Sequence, residues 1–111
     1  MKISVGDKFT VLADDRGDAV AFANYLEHII PKKFEDDHLV IDLLSFDSLE
    51  LSQLLEFLKI STYHRSSKHS FVIVNNAIDV DDIPMELIVV PTLQEAEDII
   101  EMEEIERDLG F

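Results

Sequence analysis

The runs HLVIDLL (residues 38–44) and SFVIVN (residues 70–75) decide the fold. Each is an apolar stretch too short for a helix. Neither shows the strict apolar–polar alternation of a strand with one wet face. Runs of this kind are strands buried on both faces, as parallel sheets require. Between them Leu51, Leu54, Leu55, Leu58 and Thr62 recur at helical spacing and place five side chains on one face. Ser66-Ser67 closes the unit. Strand, helix, strand in that order predicts two parallel strands joined by a right-handed crossover.

Working outward, residues 2–5 and 8–13 read as strands around Gly6-Asp7, a hairpin signal. Asp14-Asp15-Arg16-Gly17-Asp18 is a polar break, with Asp18 placed to cap a helix. That helix carries Ala19, Phe22, Ala23, Leu26, Ile29 and Ile30, and Pro31 is expected to end it. Asp47 or Ser48 is expected to cap the second helix. Beyond residue 75, Asp79 to Pro84 suggests a single helical turn, and Leu87-Ile-Val-Val90 a last strand. Thr92 caps a final helix, with Glu95 set to complete a capping box and Gly110 to stop it. Its apolar positions are Leu93, Ala96, Ile99, Ile100, Met102, Ile105 and Leu109. The expected architecture is α/β: a mostly parallel central sheet with an N-terminal β-hairpin and about four helices, packed mainly on one face. Residues 1–111 fit one domain.

Composition narrows the function classes. The chain has 24 acids against nine Lys and Arg, a formal net charge of −15. Such a surface repels phosphate backbones and anionic lipid, so neither nucleic acid nor membrane is an expected partner. The basic stretches Lys32-Lys33 and His64, Arg65, Lys68, His69 are short and flanked by acids. Cysteine is absent, which removes disulfides, thiol nucleophiles and thiolate metal sites. No apolar stretch approaches the roughly 18 residues of a membrane span. The start, MKISVGDKF, lacks the apolar core of a signal peptide. A cytoplasmic location is expected.

No stretch carries a catalytic signature. The histidines at 28, 38, 64 and 69 form neither His-x-His nor His-Glu-x-x-His, so no metal site is signalled. His64 and His69 flank a polar turn and are expected to face water. The glycines are too scattered for a phosphate loop, and no cofactor is expected. From Glu95 to Asp108 there are eight acids and one base, Arg107. That pattern reads as a solvated helix face, or as an acidic face that docks a basic surface. Phe111 ends the chain as an aromatic that folds back or anchors a partner.

At this point the chain resembles a STAS domain, the fold of the bacterial anti-sigma factor antagonists. In that family a strand carrying Asp or Asn runs into a loop with the motif Asp-Ser-Ser-Gly, which opens the second helix. Val40-Ile-Asp42-Leu-Leu44 resembles that strand, and Phe71-Val-Ile-Val74 the strand after it. Gapless spacing places Glu50-Leu51-Ser52-Gln53 on the motif. The first Ser, which a partner kinase phosphorylates in the family, is Leu51 here. The second is kept as Ser52, and Gln53 replaces the Gly. A shifted alignment onto Asp47-Ser48 restores an Asp-Ser pair but needs a gap. The resemblance implies a non-enzymatic module that regulates an anti-sigma factor, a kinase or a neighbouring enzyme. The implied surface is Asp47, Ser48, Glu50, Leu51, Ser52 and Gln53, and Ser48 and Ser52 are the residues a kinase would find there. Two other readings remain open. One is a receiver-like phosphoacceptor using Asp14, Asp15 and Asp47 around Mg²⁺. The other is a small-ligand carrier with a pocket between the sheet and the last helix.

Overall fold

The computed structural model describes residues 1–110, so the expectation for Phe111 lies outside the described residues. Strands β1 (Lys2–Val5), β2 (Thr10–Ala13), β3 (Leu39–Asp42), β4 (Phe71–Val74) and β5 (Val89–Val90) form one sheet in the order β1-β2-β3-β4-β5. Only the β1–β2 pair is antiparallel. The hairpin between them closes with the Gly6 N–H on the Phe9 carbonyl at 2.9 Å. The helices are α1 (Ala19–Lys33), α2 (Leu51–Leu54), α3 (Leu58–Ser66) and α4 (Leu93–Asp108). A 3₁₀ turn over Leu55–Phe57 joins α2 to α3, and another over Val80–Asp82 precedes β5.

The register explains the two layers of helices. Leu12, Ile41, Ile73 and Val89 stand side by side across the four parallel strands. They pack with Phe22, Leu26 and Ile30 of α1 and with Phe57 and Ile60 of the α2–α3 layer. One residue back along each strand, Val11, Val40 and Val72 form a row on the opposite face, as the two-residue period of a strand demands. That row packs with Ala96 and Ile100 of α4. The helices of the α1–α3 layer therefore cover one face and α4 alone covers the other. Val40, Ile41, Val72 and Ile73 are all 0% exposed.

Local signals set some boundaries and tertiary contacts move others. Asp18 caps α1 through the Ala21 N–H at 3.0 Å, and Thr92 caps α4 through the Glu95 N–H at 3.1 Å. Pro31 does not end α1: the helix runs on to Lys33, with the Phe34 N–H on the Ile30 carbonyl at 2.9 Å. Proline in a last turn removes one donor while the bonds around it survive, and buried Phe34 draws the turn down. The last strand is shorter than the Leu87–Val90 run because the Leu87 N–H turns back to the Pro84 carbonyl at 3.1 Å. The second helix also departs from a single stripe. Leu54, Phe57, Ile60, Ser61 and His64 are buried, whereas Leu51, Leu55 and Thr62 are exposed. The 3₁₀ turn has three residues per turn, so the inward stripe advances in threes.

A polar seam ties α4 to the amino ends of β3 and β4. Glu103 accepts from the Ser70 hydroxyl at 2.6 Å and from Arg65 at 3.2 Å, with Arg107 at 3.7 Å. The Ser70 N–H donates to His38 Nδ1 at 2.9 Å. The His38 proton therefore sits on Nε2, 3.1 Å from Glu104. Those acids are partners within the fold, so the acidic helix is not uniformly solvated. His64, expected in water, is 0% exposed, and its Nε2 donates to the Asp37 carbonyl at 2.6 Å. The His69 ring lies between, with centroids 5.4 Å from His38 and 5.6 Å from His64.

Three expected outcomes follow from the packing and the seam. Ile41→Ala costs about 2–5 kcal/mol by urea denaturation, because a two-sided sheet cannot collapse around the void. Val5→Thr on the exposed β1 changes stability by less than about 0.5 kcal/mol. Burial holds the His38 and His64 imidazoles below their ordinary value, and Arg107 adds to the effect at His38. The unfolded chain then takes up protons first, so this contribution is complete above about pH 6.5 and is lost as pH falls through the lowered folded values. His64→Phe should flatten the slope of stability against pH in that window, measured against wild type at each pH. An unchanged slope contradicts the assignment.

Candidate protein-interaction site

The connection from β3 to α2 is built on a few bonds. Asp42 Oδ1 accepts the Leu44 N–H at 2.9 Å, and the Leu43 N–H reaches the Val74 carbonyl at 2.8 Å. Asn75, 3% exposed and directly after β4, does the most. Its Nδ2 donates to the carbonyls of Leu43 at 2.9 Å and Phe46 at 3.1 Å. Its Oδ1 accepts the N–H groups of Ala77 at 2.9 Å and Ile78 at 3.2 Å. Both amide hydrogens and both oxygen lone pairs are used, so one side chain locks the loops after β3 and β4 together. Leu49, 6% exposed, pins the chain just before the helix.

Neither Asp47 nor Ser48 caps α2. Both are exposed in the preceding turn, because burial of Leu49 delays the helix start. The cap is Glu50, in extended conformation at φ −86 and ψ 154. The Gln53 side chain accepts the Glu50 N–H at 2.9 Å, and the Glu50 carbonyl accepts the Leu54 N–H at 3.1 Å. Glu50, Leu51, Ser52 and Gln53 therefore share one turn, with Asp47 and Ser48 on its approach. Leu51 is 38% exposed and Leu55, one turn on, is 40% exposed. Leu55 was missing from the sequence-derived site. Its signal was surplus: Leu51, Leu54, Leu55, Phe57 and Leu58 are more apolar side chains than one inward stripe of two turns can hold.

The other two constellations are arranged differently. Asp14 accepts the N–H groups of Arg16 at 3.1 Å and Asp18 at 3.0 Å, and so shapes its own turn. Asp15 binds the Met1 ammonium at 2.8 Å, which holds its carboxyl below the usual range. Among the described residues no three carboxylates or imidazoles are grouped to hold a metal ion. Between the sheet and α4, Ala96 and Ile100 are 0% exposed against Val40, Val72 and Val74, so the space named for a small ligand is filled. Arg65, part of a basic stretch in sequence, is paired with Glu103. No helix among the described residues is long and apolar enough to cross a membrane.

The strand order, the antiparallel first strand and the helix opened by the β3 loop define a STAS fold. A serine-to-glutamate variant of RsbS from Moorella thermoacetica is similar in structure, with a TM-score of 0.64 over 91% of this chain and 94% of that one. RsbS is a STAS-domain anti-sigma factor antagonist, and the two sequences are 18% identical. The likeness is one of fold. No family model and no curated protein matches this chain.

Asn75→Asp tests the anchoring. A carboxylate cannot donate to the Leu43 and Phe46 carbonyls and would face both, so we expect a loss of about 2–4 kcal/mol. Amide exchange across residues 44–50 should quicken more than exchange in α1. Equal quickening in both would show that Asn75 supports the fold generally and not this loop.

Proposed function

We propose that this chain is a single-domain, non-enzymatic regulatory module of the cytoplasm that binds a protein partner through the opening turn of α2. The partner is an anti-sigma factor, a kinase or a neighbouring enzyme. The observation that carries this reading is the exposed pair Leu51 and Leu55 on a helix start that Leu49, Asn75 and Gln53 hold rigid. A preorganised apolar pair with a polar rim of Asp47, Ser48, Glu50 and Ser52 is the usual anatomy of a small docking site. The fold shared with RsbS, an anti-sigma factor antagonist, supports the reading as a regulatory interaction module.

Leu51 has no hydroxyl, so binding is not gated by phosphorylation at that position. Ser48 and Ser52 are the exposed hydroxyls on the turn and its approach. Ser52 lies in the first turn of α2, where the helix dipole favours an added phosphate. Binding is therefore constitutive, or is controlled at Ser48, at Ser52 or through the partner.

A benzoylphenylalanine crosslinker placed at Leu55 in the native cell should trap one species of defined mass. Ser52→Arg should reduce that adduct about tenfold, as expected for a charge set against a docking centre. The same crosslinker at exposed Val5 should trap nothing comparable. Equal adducts at both positions, or an adduct indifferent to Ser52→Arg, would defeat the reading.

A further inference from the structure

The far edge of the sheet carries a second surface, distant in sequence from α2. A groove of about 380 Å³ runs along β5, lined by Val80, Ile83 and Met85 from the preceding segment, Val89 and Val90 of the strand, and Ile99 of α4. Val89 belongs to the core face under α1 and Val90 to the face under α4. The groove therefore straddles the strand's edge. The Ile73 N–H bonds the Ile88 carbonyl at 2.9 Å and the Asn75 N–H bonds the Val90 carbonyl at 3.0 Å. In a parallel ladder successive residues alternate sides, so the N–H and C=O of Val89 point out into the groove. Met85 is 98% and Val80 70% exposed beside this open edge.

Charge says what fits there. From residue 69 to residue 106 the chain has no Lys or Arg. Asp79, Asp81, Asp82 and Glu86 are exposed on the segment that forms one wall. On the other wall Glu95 lies one helical turn from Ile99, with Asp98 beside it. Among the described residues none of these six is in an ion pair. A second copy of the chain would bring the same acids against them, and anionic lipid or nucleic acid would be repelled.

We propose that β5 accepts an extended segment of a partner protein in which Lys or Arg alternates with apolar residues, added to the sheet as a further strand. Alternate side chains of such a segment fall on opposite sides. Apolar ones fall on the α4 side, against Val90 and Ile99, and basic ones on the other side, where Asp79, Asp81, Asp82 and Glu86 flank Ile83. Backbone bonds to Val89 supply register. This surface is separate from α2, so a partner could hold both at once.

The test is an NMR titration of the isotope-labelled full chain with a synthetic, end-capped peptide of alternating Lys and Val, about eight residues long. Perturbed amides should cluster in residues 80–90 and around Ile99, with exchange of the Val89 amide slowed. Affinity should fall about tenfold or more between low and high salt, and about tenfold in a chain carrying Asp82→Lys and Glu86→Lys. A peptide N-methylated at the residues that face β5 should not bind. The proposal is overturned by no binding at millimolar peptide, by equal binding of the N-methylated peptide or of one with Glu for Lys, or by perturbations centred on β1 or α2. The last outcome would leave the α2 surface standing while removing this one.

Discussion

Strands β3 and β4 have no wet face, and most of the molecule answers that demand. Valines at even positions and larger apolar residues at odd positions need cover on opposite sides. Right-handed crossovers that step along a sheet in one direction put their helices on the same face, so the other face must be covered by an element outside them. The crossovers through α1 and through α2–α3 supply the first layer, and α4 supplies the second. Each fully buried Leu or Ile here contributes about 1.5–3 kcal/mol, which is why single rows of the sheet matter to the whole.

The same constraint divides polar chemistry between the two ends of the sheet. At the amino ends, α4 comes back over His38 and Ser70, and its acids find partners in Arg65, Arg107 and the hydroxyl of Ser70. That end is consumed by holding the second layer down. At the carboxyl ends the loops are free to vary, provided their backbones are satisfied. Asn75 satisfies four backbone groups across two of them. With the backbone settled internally, Leu51, Ser52 and Leu55 remain available to a partner.

How much of this was legible in the sequence depends on the range of the deciding contact. The buried strands were plain because HLVIDLL and SFVIVN carry their environment in their own composition. Asp18 and Thr92 cap the helices expected of them, since a cap bonds an amide three residues away. The second helix misled because its register turns on Phe57, which meets the Phe22 ring of α1 at 6.2 Å between centroids. His64 misled for the same reason: the carbonyl that accepts its proton belongs to Asp37, 27 residues earlier. The proposed surface was half legible. Resemblance pointed to the turn from Glu50 to Gln53, while Leu55 emerged only once the 3₁₀ turn had rotated it outward.

The central claim is that the opening turn of α2 is a protein-binding face. Hydrogen–deuterium exchange on the complex isolated from the native cell, compared with the free chain, reads it directly. Slowed exchange across residues 47–56, with the α1 amides unchanged, is the result this account predicts. A stable complex in which that turn exchanges as fast as in the free chain would contradict it.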